Sequence, residues 1–345
     1  MTVLDNAGQV ARAVESVLNQ GYDDIELLCV CGAGADGARR VCERFAERDI
    51  RVEVRGGVEG GLAQARNAAL ETARGRYIVF CGDDGWFAPD ALDALVRAAK
   101  AGEGAELALG GVFVDTYHGR DRERRSTVVS PERDGLYPAG AFHGVAGDLV
   151  GSDLLCSLWG KLFDRGRIEA LGLRFEGAPR SEAPFVLSYM RDVQGVAFAS
   201  APLYHHNSAK GTASALPYQP DLFDRCTAEY DALLGLWEHW GLEGDEAGLD
   251  AINRRYIDQV VSCIESVCSK ACPLSPIEKR DRIRDIVGAV STRRAAERSV
   301  WGSVIARPLV DPIRKGNADV CYMEGRLLNL LGCTSKVSPL VGMRN

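Results

Sequence analysis

Between residues 10 and 101 the chain alternates helix-patterned and strand-patterned segments, and this alternation restricts the fold more than any other feature. Residues 10–20, VARAVESVLNQ, set Val10, Val14, Val17 and Leu18 on one helical face. The run 25–31, IELLCVC, has the length and continuous apolarity of a buried strand. A glycine-rich turn at 32–37 leads into a helix-patterned stretch at 38–48. Short strands are predicted at 51–54 and 76–81, with a helix at 62–73 between them. A further helix is predicted at 89–101, with Pro89 near its start, where a missing N–H costs nothing. The alternation predicts an α/β fold, a mostly parallel sheet flanked by helices. Ligands of such sheets bind beyond the carboxyl ends of the strands. The turns 32–37 and 82–85 both fall at strand ends, which makes them the places to look for chemistry.

Beyond residue 107 the pattern is mixed, with strands expected near 107–115 and 195–199 and a helix around 184–190. The charge run RDRERR at 120–125 reads as a solvated loop. From about 221 the chain turns helical, at 221–240, 248–268 and 275–290, and Pro308 and Pro312 interrupt the tail. The predicted division is an α/β domain over 1–217 and a helical C-terminal region over 218–345. A net charge of −7 argues against a nucleic-acid binder, since phosphate neutralisation needs a basic surface. No basic segment followed by an apolar run opens the sequence, and no apolar run approaches the ~20 residues of a membrane span. A cytoplasmic location is expected, at most peripheral to the inner face of the cell membrane. The 11 cysteines lack zinc-ligand spacing and read as reduced core residues.

Two readings compete at the first turn. Gly32-Ala33-Gly34-Ala35-Asp36-Gly37 matches GxGxxG after a strand, and Glu53 follows at a distance suited to a ribose, the pattern of an NAD-dependent oxidoreductase. A helix precedes that strand, however, and the denser chemistry lies later, at Asp83-Asp84. Several blocks in order support the other reading. They are Ser16-Val17-Leu18-Asn19-Gln20, Asp36-Gly37, Gly60-Gly61-Leu62, Ala65-Arg66-Asn67, Gly75-Arg76-Tyr77-Ile78 and Asp83-Asp84-Gly85-Trp86. Together they resemble the "SILNQTY…VVDDGSTD" and "GGLSAARNxGL…GEYIxFLDSDD" segments of family-2 glycosyltransferases, which have the GT-A fold. Further on, residues 158–163 (LWGKLF) resemble the family's "WNKLF", and Leu173-Arg174-Phe175 with 181–185 (SEAPF) resembles "LRF…EDxPF". Residues 202–206 (PLYHH), with 211–214, resemble its "PLYYYRxxxGSxS" ending.

The resemblance implies sugar transfer, with inversion, from a nucleoside-diphosphate donor to a hydroxyl of a glycan or lipid-linked acceptor in cell-surface polysaccharide synthesis. It assigns Glu182 as the base that takes the acceptor proton, a role worth ~10²–10⁴-fold in rate. It implies Mn²⁺ or Mg²⁺ on Asp84, with His206 completing the shell, because a departing diphosphate needs its charge neutralised. Asp36, Arg66, Asp83 and Lys161 are the remaining donor-site candidates, the two cations suited to charge-assisted bonds with phosphate.

Three departures accompany it. The opening Met1–Ala7 resembles the end of the family's "SVIIPVYNAE" segment, so a first strand is expected to be absent or nearly so. Cys31-Gly32 stands where the family has acids, and Gly82 stands at the first Asp of its DxD motif. Each loss removes a contact worth about 1–3 kcal/mol in a desolvated site. A catalytically degenerate binding or scaffold protein is therefore the alternative to an active transferase. In the tail, Arg293-Arg294, Arg298, Arg307, Arg314-Lys315 and Arg326 mix with Trp301, Ile305, Leu309, Val310 and a leucine cluster. That mixture suits either an anionic membrane surface or a helix packed back on the protein.

Overall fold

The computed structural model describes residues 1–4, 6–101, 104–118, 123–176, 182–207, 218–299 and 309–331. It divides into two compact units. The first comprises Met1–Asp115, Ser126–Val145 and Cys156–Asn207.

Its elements are β1 (Thr2–Val3), α1 (Val10–Leu18), β2 (Leu27–Gly32), α2 (Asp36–Ala46), β3 (Val52–Val58), α3 (Leu62–Thr72), β4 (Tyr77–Val79), β5 (Trp86–Phe87) and α4 (Ala91–Ala101). They continue through β6 (Leu107–His118), β7 (Glu123–Val129), β8 (Gly135–Pro138), α5 (Ala139–Gly151), β9 (Lys161–Asp164), α6 (Arg165–Ala170), α7 (Ala183–Met190) and β10 (Gly195–Asn207). The early alternation predicted from sequence is present. The strand expected to be nearly absent exists as the two-residue β1, which pairs Thr2 with Val30 and Val3 with Cys31.

Strand direction departs from expectation. A three-stranded sheet, β1-β2-β3, is parallel throughout. The larger sheet runs β4-β9-β6-β10-β5, with β7 on β6 and β8 on β10. It is mixed: β6 and β10 pair in parallel, while β9 runs antiparallel to β4 and β6, and β5 and β8 antiparallel to β10. The antiparallel members β4, β5, β8 and β9 are two to four residues long, too short for side-chain periodicity to reveal their direction. The two sheets meet at the Thr2–Gly82 bridge, where the Thr2 N–H donates to the Cys81 carbonyl at 3.2 Å. The β2 run buries as predicted, and α1, α2 and α4 pack Val14, Cys42 and Leu95 into the same core.

Two further expectations change. Residues 123–125 of the charge run open strand β7 with their side chains exposed, rather than lying in a loop; residues 120–122 lie outside the described part. The strand expected over 195–199 continues to Asn207, past a register shift at Pro202, whose missing N–H interrupts the ladder.

The second unit comprises Thr116–Arg125, Ala146–Leu155 and Ser208–Asn345. It contains α8 (Leu222–His239), α9 (Glu246–Cys268), α10 (Pro276–Gly288), α11 (Val290–Arg298), α12 (Val310–Arg314) and α13 (Ala318–Leu331). The helix predicted at 275–290 is α10, which ends where Ala289 turns extended before α11 begins; Ser275 and Glu278 form a capping box at its start. Helix α9 is buried along most of its length, and Arg255 lies between Asp153 and Glu229 inside the unit. The sequence division near 217–221 differs from these units in leaving 116–125 and 146–155 with the first domain. Among the described residues no helix is long and apolar enough to cross a membrane.

Candidate active site

Glu182 stands at the N-cap of α7, with Pro184 inside the first turn of the helix. One carboxylate oxygen, Oε1, forms an ion pair with Arg66 of α3, and Oε2 accepts from the Leu158 N–H at 3.4 Å. Arg66 is 5 % exposed and its guanidinium also lies 5.0 Å from the Phe175 ring. The neighbouring Asn67 fixes that ring's backbone by a reciprocal pair, donating to the Phe175 carbonyl and accepting from the Phe175 N–H, both at 2.8 Å. Arg66 and Glu182 are 116 residues apart in sequence, and the fold makes them direct partners.

Lys161 opens β9 fully buried, and its Nζ donates to the Ser157 carbonyl. Burial pulls its ammonium down to about 7, against the opposing fields of Cys156 and Glu182. Lys161 and Glu182 are thus electrostatic neighbours. The sequence placed Arg66, Lys161 and Glu182 in one site, and the structure brings them together. Arg66, expected at a diphosphate, is engaged by Glu182.

The Asp pair splits. Asp83 is buried, and its Oδ2 accepts from the Leu4 N–H at 2.9 Å and the Asn6 N–H at 3.3 Å, while Oδ1 accepts from the Asn6 side chain at 3.3 Å. These bonds fasten the segment after β1 to the turn after β4. Asp84 is half-buried and its backbone carbonyl accepts from Asn207. A Cβ added at Gly82 would lie 3.0 Å from the Asp84 Oδ1, so the glycine leaves that carboxylate its room. Gly85 is required more strictly, since a Cβ there would stand 2.1 Å from the Tyr204 hydroxyl oxygen and 2.7 Å from the His205 carbonyl.

Strand β10 alternates its side chains across the sheet, and the period separates its two histidines. Tyr204 accepts from the Gly82 N–H at 3.1 Å and stacks on Trp159, which in turn stacks on His206 at 5.6 Å. His206 therefore belongs to the aromatic layer under the 82–85 turn. On the other face His205 bonds through Nδ1 to the buried Asp115 at 2.8 Å, and Ser126 donates to the same carboxylate. The His205 ring is sandwiched between Trp86 at 4.4 Å and Phe113 at 4.1 Å, with the Arg12 guanidinium 3.5 Å from the Trp86 ring. Sequence reasoning missed Asp115, Trp159 and Asn207; the period-two alternation in Tyr204-His205-His206-Asn207 was the available signal.

Asp36 is the first residue of α2, exposed and paired with Arg39 at 3.4 Å. Cys29, Cys31 and Cys42 form a buried cluster. Hydrogen bonding to Cys42, with burial, raises the Cys31 thiol, and Cys42 is pushed up to about 12, chiefly by its bond to Cys29. Both stay protonated and pack as core residues. Ser181, expected beside the base, and residues 211–214 lie outside the described part.

Among the described residues no three His, Cys, Asp or Glu side chains gather to hold a metal ion. With Asp83 committed to the backbone, the donors present fit a cation that shares its shell with a bound diphosphate and do not fit a dedicated protein cage.

Known proteins resemble this chain in sequence and in fold. The model of the family "Glycosyl transferase family 2" matches residues 1–151, a span that includes both glycine turns and the Asp pair. The glycosyltransferase EpsJ of Bacillus subtilis, itself described as uncharacterized, is 25% identical over 291 residues, covering 83% of this chain and 81% of that protein. TuaG of the same organism, a putative teichuronic acid biosynthesis glycosyltransferase, is 38% identical over 79 residues, covering 22% of this chain and 31% of TuaG. Residues 1–349 of TarS from S. aureus, crystallised with UDP-GlcNAc, superpose with a TM-score of 0.62 at 14% identity, covering 96% of this chain and 92% of that one. That last likeness is one of fold, and it includes the α/β sheet and the helical C-terminal region. The in-order blocks, the 82–85 turn and the family match together identify a glycosyl transferase family 2 domain of the GT-A fold in this chain.

Proposed function

We propose that the chain is a nucleotide-sugar-dependent, inverting glycosyltransferase of surface-polysaccharide synthesis, with Glu182 as its base. The observation that carries this reading is Glu182 held at the start of α7 by Arg66 and the Leu158 N–H, with Lys161 close enough to feel its charge. Both contacts are made to the carboxylate oxygens and fix the orientation that a base requires. In the transfer, the acceptor oxygen forms a bond to the anomeric carbon as the bond to the diphosphate breaks, and the diphosphate leaves with the electron pair. The acceptor proton passes to Glu182. Arg66 keeps the carboxylate in place for that step, and Lys161 supplies positive charge toward the leaving group when protonated. Asp84 would hold Mn²⁺ or Mg²⁺ together with the diphosphate, and the ion would neutralise the leaving charge. TarS was crystallised with UDP-GlcNAc, and TuaG is named for teichuronic acid biosynthesis, so uridine donors are the first to test.

A degenerate binding protein is the second reading, favoured by the commitment of Asp83 to the backbone and by Gly82. Calorimetric titration of UDP and other nucleotides with Mn²⁺, beside NAD, separates the readings when run with a donor-turnover assay on wild type and Glu182→Gln. An active enzyme binds a nucleotide, and E182Q keeps that affinity while kcat falls ~10²–10⁴-fold. Nucleotide binding without turnover, or no heat with any nucleotide, favours the degenerate protein. Heat with NAD alone returns the first turn to the dehydrogenase reading.

A further inference from the structure

The described part of helix α13 exposes Met323, Leu327 and Leu330, at 60%, 55% and 71%. With Arg326 they fall at i, i+3, i+4 and i+7, an arc of about 100° on the helix. The opposite face carries Cys321, Tyr322 and Gly325, which are buried. There α13 approaches α9 so closely that a Cβ at Gly325 would stand 2.8 Å from the Cys268 Sγ. One side of the helix thus anchors it to the unit, and the other presents an apolar stripe.

Arg326 lies within the stripe, and the Arg280 guanidinium shares the Tyr322 ring with it. The guanidiniums of Arg326 and of Arg280 on α10 lie 5.7 and 5.0 Å from that ring. Ile277, on the first turn of α10, is also exposed, at 71%. The wider sequence has the same polarity. Residues 276–345 hold thirteen Lys or Arg against seven Asp or Glu, a net +6, whereas residues 1–275 hold twenty-eight against forty-one, a net −13. In a chain of −7 overall, the positive charge is concentrated in the segment of sequence that contains this stripe.

We propose that α13 is a docking face for an anionic lipid surface, with Met323, Leu327 and Leu330 entering the headgroup–acyl boundary. Arg280 and Arg326 meet lipid phosphates beside them. A protein partner that only covered apolar area would have no use for the guanidiniums, whereas an anionic bilayer uses both, since apolar burial and attraction to its charged headgroups add. Arginine stems are long enough to lie along the boundary with their charge at headgroup level. This surface is independent of the catalytic reading.

Vesicle co-sedimentation of the full chain tests it, with phosphatidylcholine vesicles containing or lacking phosphatidylglycerol. Wild type is expected to pellet with the anionic vesicles and to release as salt rises. Arg280→Gln and Arg326→Gln should each weaken partitioning about fivefold. Leu327→Gln/Leu330→Gln should abolish it while circular dichroism stays unchanged, because both side chains are exposed. Equal pelleting with neutral vesicles, no pelleting at all, or full retention by the folded double variant would overturn the proposal. So would a wild-type dimer that ignores vesicles and becomes monomeric in L327Q/L330Q, which would assign the stripe to a second copy of the chain.

Discussion

Lys161→Met isolates the electrostatic cost of placing an amine inside β9. In the fold the amine titrates near about 7, whereas 10.5 is its value in water. Between those values the unfolded chain binds more protons than the folded one, so stability rises with pH across the window. The burden on wild type is complete below pH 7 and gone above about 10.5, with a full size of about 5 kcal/mol from the separation of the two values. From pH 7 to pH 9 the relief is about 2 kcal/mol. Met fills a similar volume without charge, so its stability carries no such slope; it also leaves the Ser157 carbonyl without this donor, a constant cost of about 1 kcal/mol. Urea titrations of both proteins at pH 7 and pH 9 read the effect as a change in midpoint at constant m. The stability of K161M relative to wild type should fall by about 2 kcal/mol between pH 7 and pH 9. Relative stability unchanged to within about 0.5 kcal/mol would refute the reasoning and show that Lys161 stays charged in the fold.

Other outcomes follow from the same contacts. Arg66→Leu removes the partner that holds the Glu182 carboxylate in place, so on the proposed reading kcat should fall while donor KM changes little, and Arg66→Lys should restore much of the loss; an unchanged kcat in R66L would deny Arg66 its positioning role. Asp83→Asn replaces a charged acceptor of the Leu4 and Asn6 N–H groups, costing about 1–3 kcal/mol by urea titration while nucleotide affinity with Mn²⁺ holds. A loss of metal-dependent affinity at unchanged stability would instead make Asp83 a ligand. Gly85→Ala should cost about 2 kcal/mol or more, and Tyr204→Phe should not rescue it, because the His205 carbonyl still blocks the new Cβ. Recovery of stability in the double variant would show that the hydroxyl alone sets the limit.

Much of the first unit was legible because its long elements carry their own periodicity. Val10, Val14 and Val17 on α1, or the unbroken apolar run in β2, need no knowledge of their neighbours. The sheet direction was not legible, since β4, β5 and β9 are shorter than one cycle of evidence and take their orientation from β10 and β6. The site divides in the same way. Matching blocks singled out Glu182, Arg66 and Lys161, but their mutual contacts depend on a closure across more than a hundred residues that no local pattern encodes. Adjacent carboxylates give the sharpest case. Asp83 and Asp84 are chemically equivalent in sequence, and only the placement of Leu4 and Asn6 makes the first an acceptor for backbone N–H groups.

That division alters the meaning of Gly82. Read along the sequence, a glycine at the head of an acidic motif is a lost ligand. In the fold, Gly82 also gives its N–H to Tyr204 and leaves room for the Asp84 carboxylate, two services that a bulkier residue would strain. The turn is therefore built around one half-buried carboxylate, a stacked Tyr204-Trp159-His206 layer and a backbone clamp at Asp83. A cation there would depend on its diphosphate for most of its shell, so metal and nucleotide should bind together rather than in sequence. Across the site, Arg66 is paired with Glu182, and burial pulls the Lys161 ammonium down to about 7. If the site takes a donor as proposed, neither of these two cations offers it a full fixed charge, and a shared cation would supply counter-charge to the diphosphate. On the proposed reading, donor affinity should depend steeply on Mn²⁺ or Mg²⁺, with Asp84 as the anchoring carboxylate.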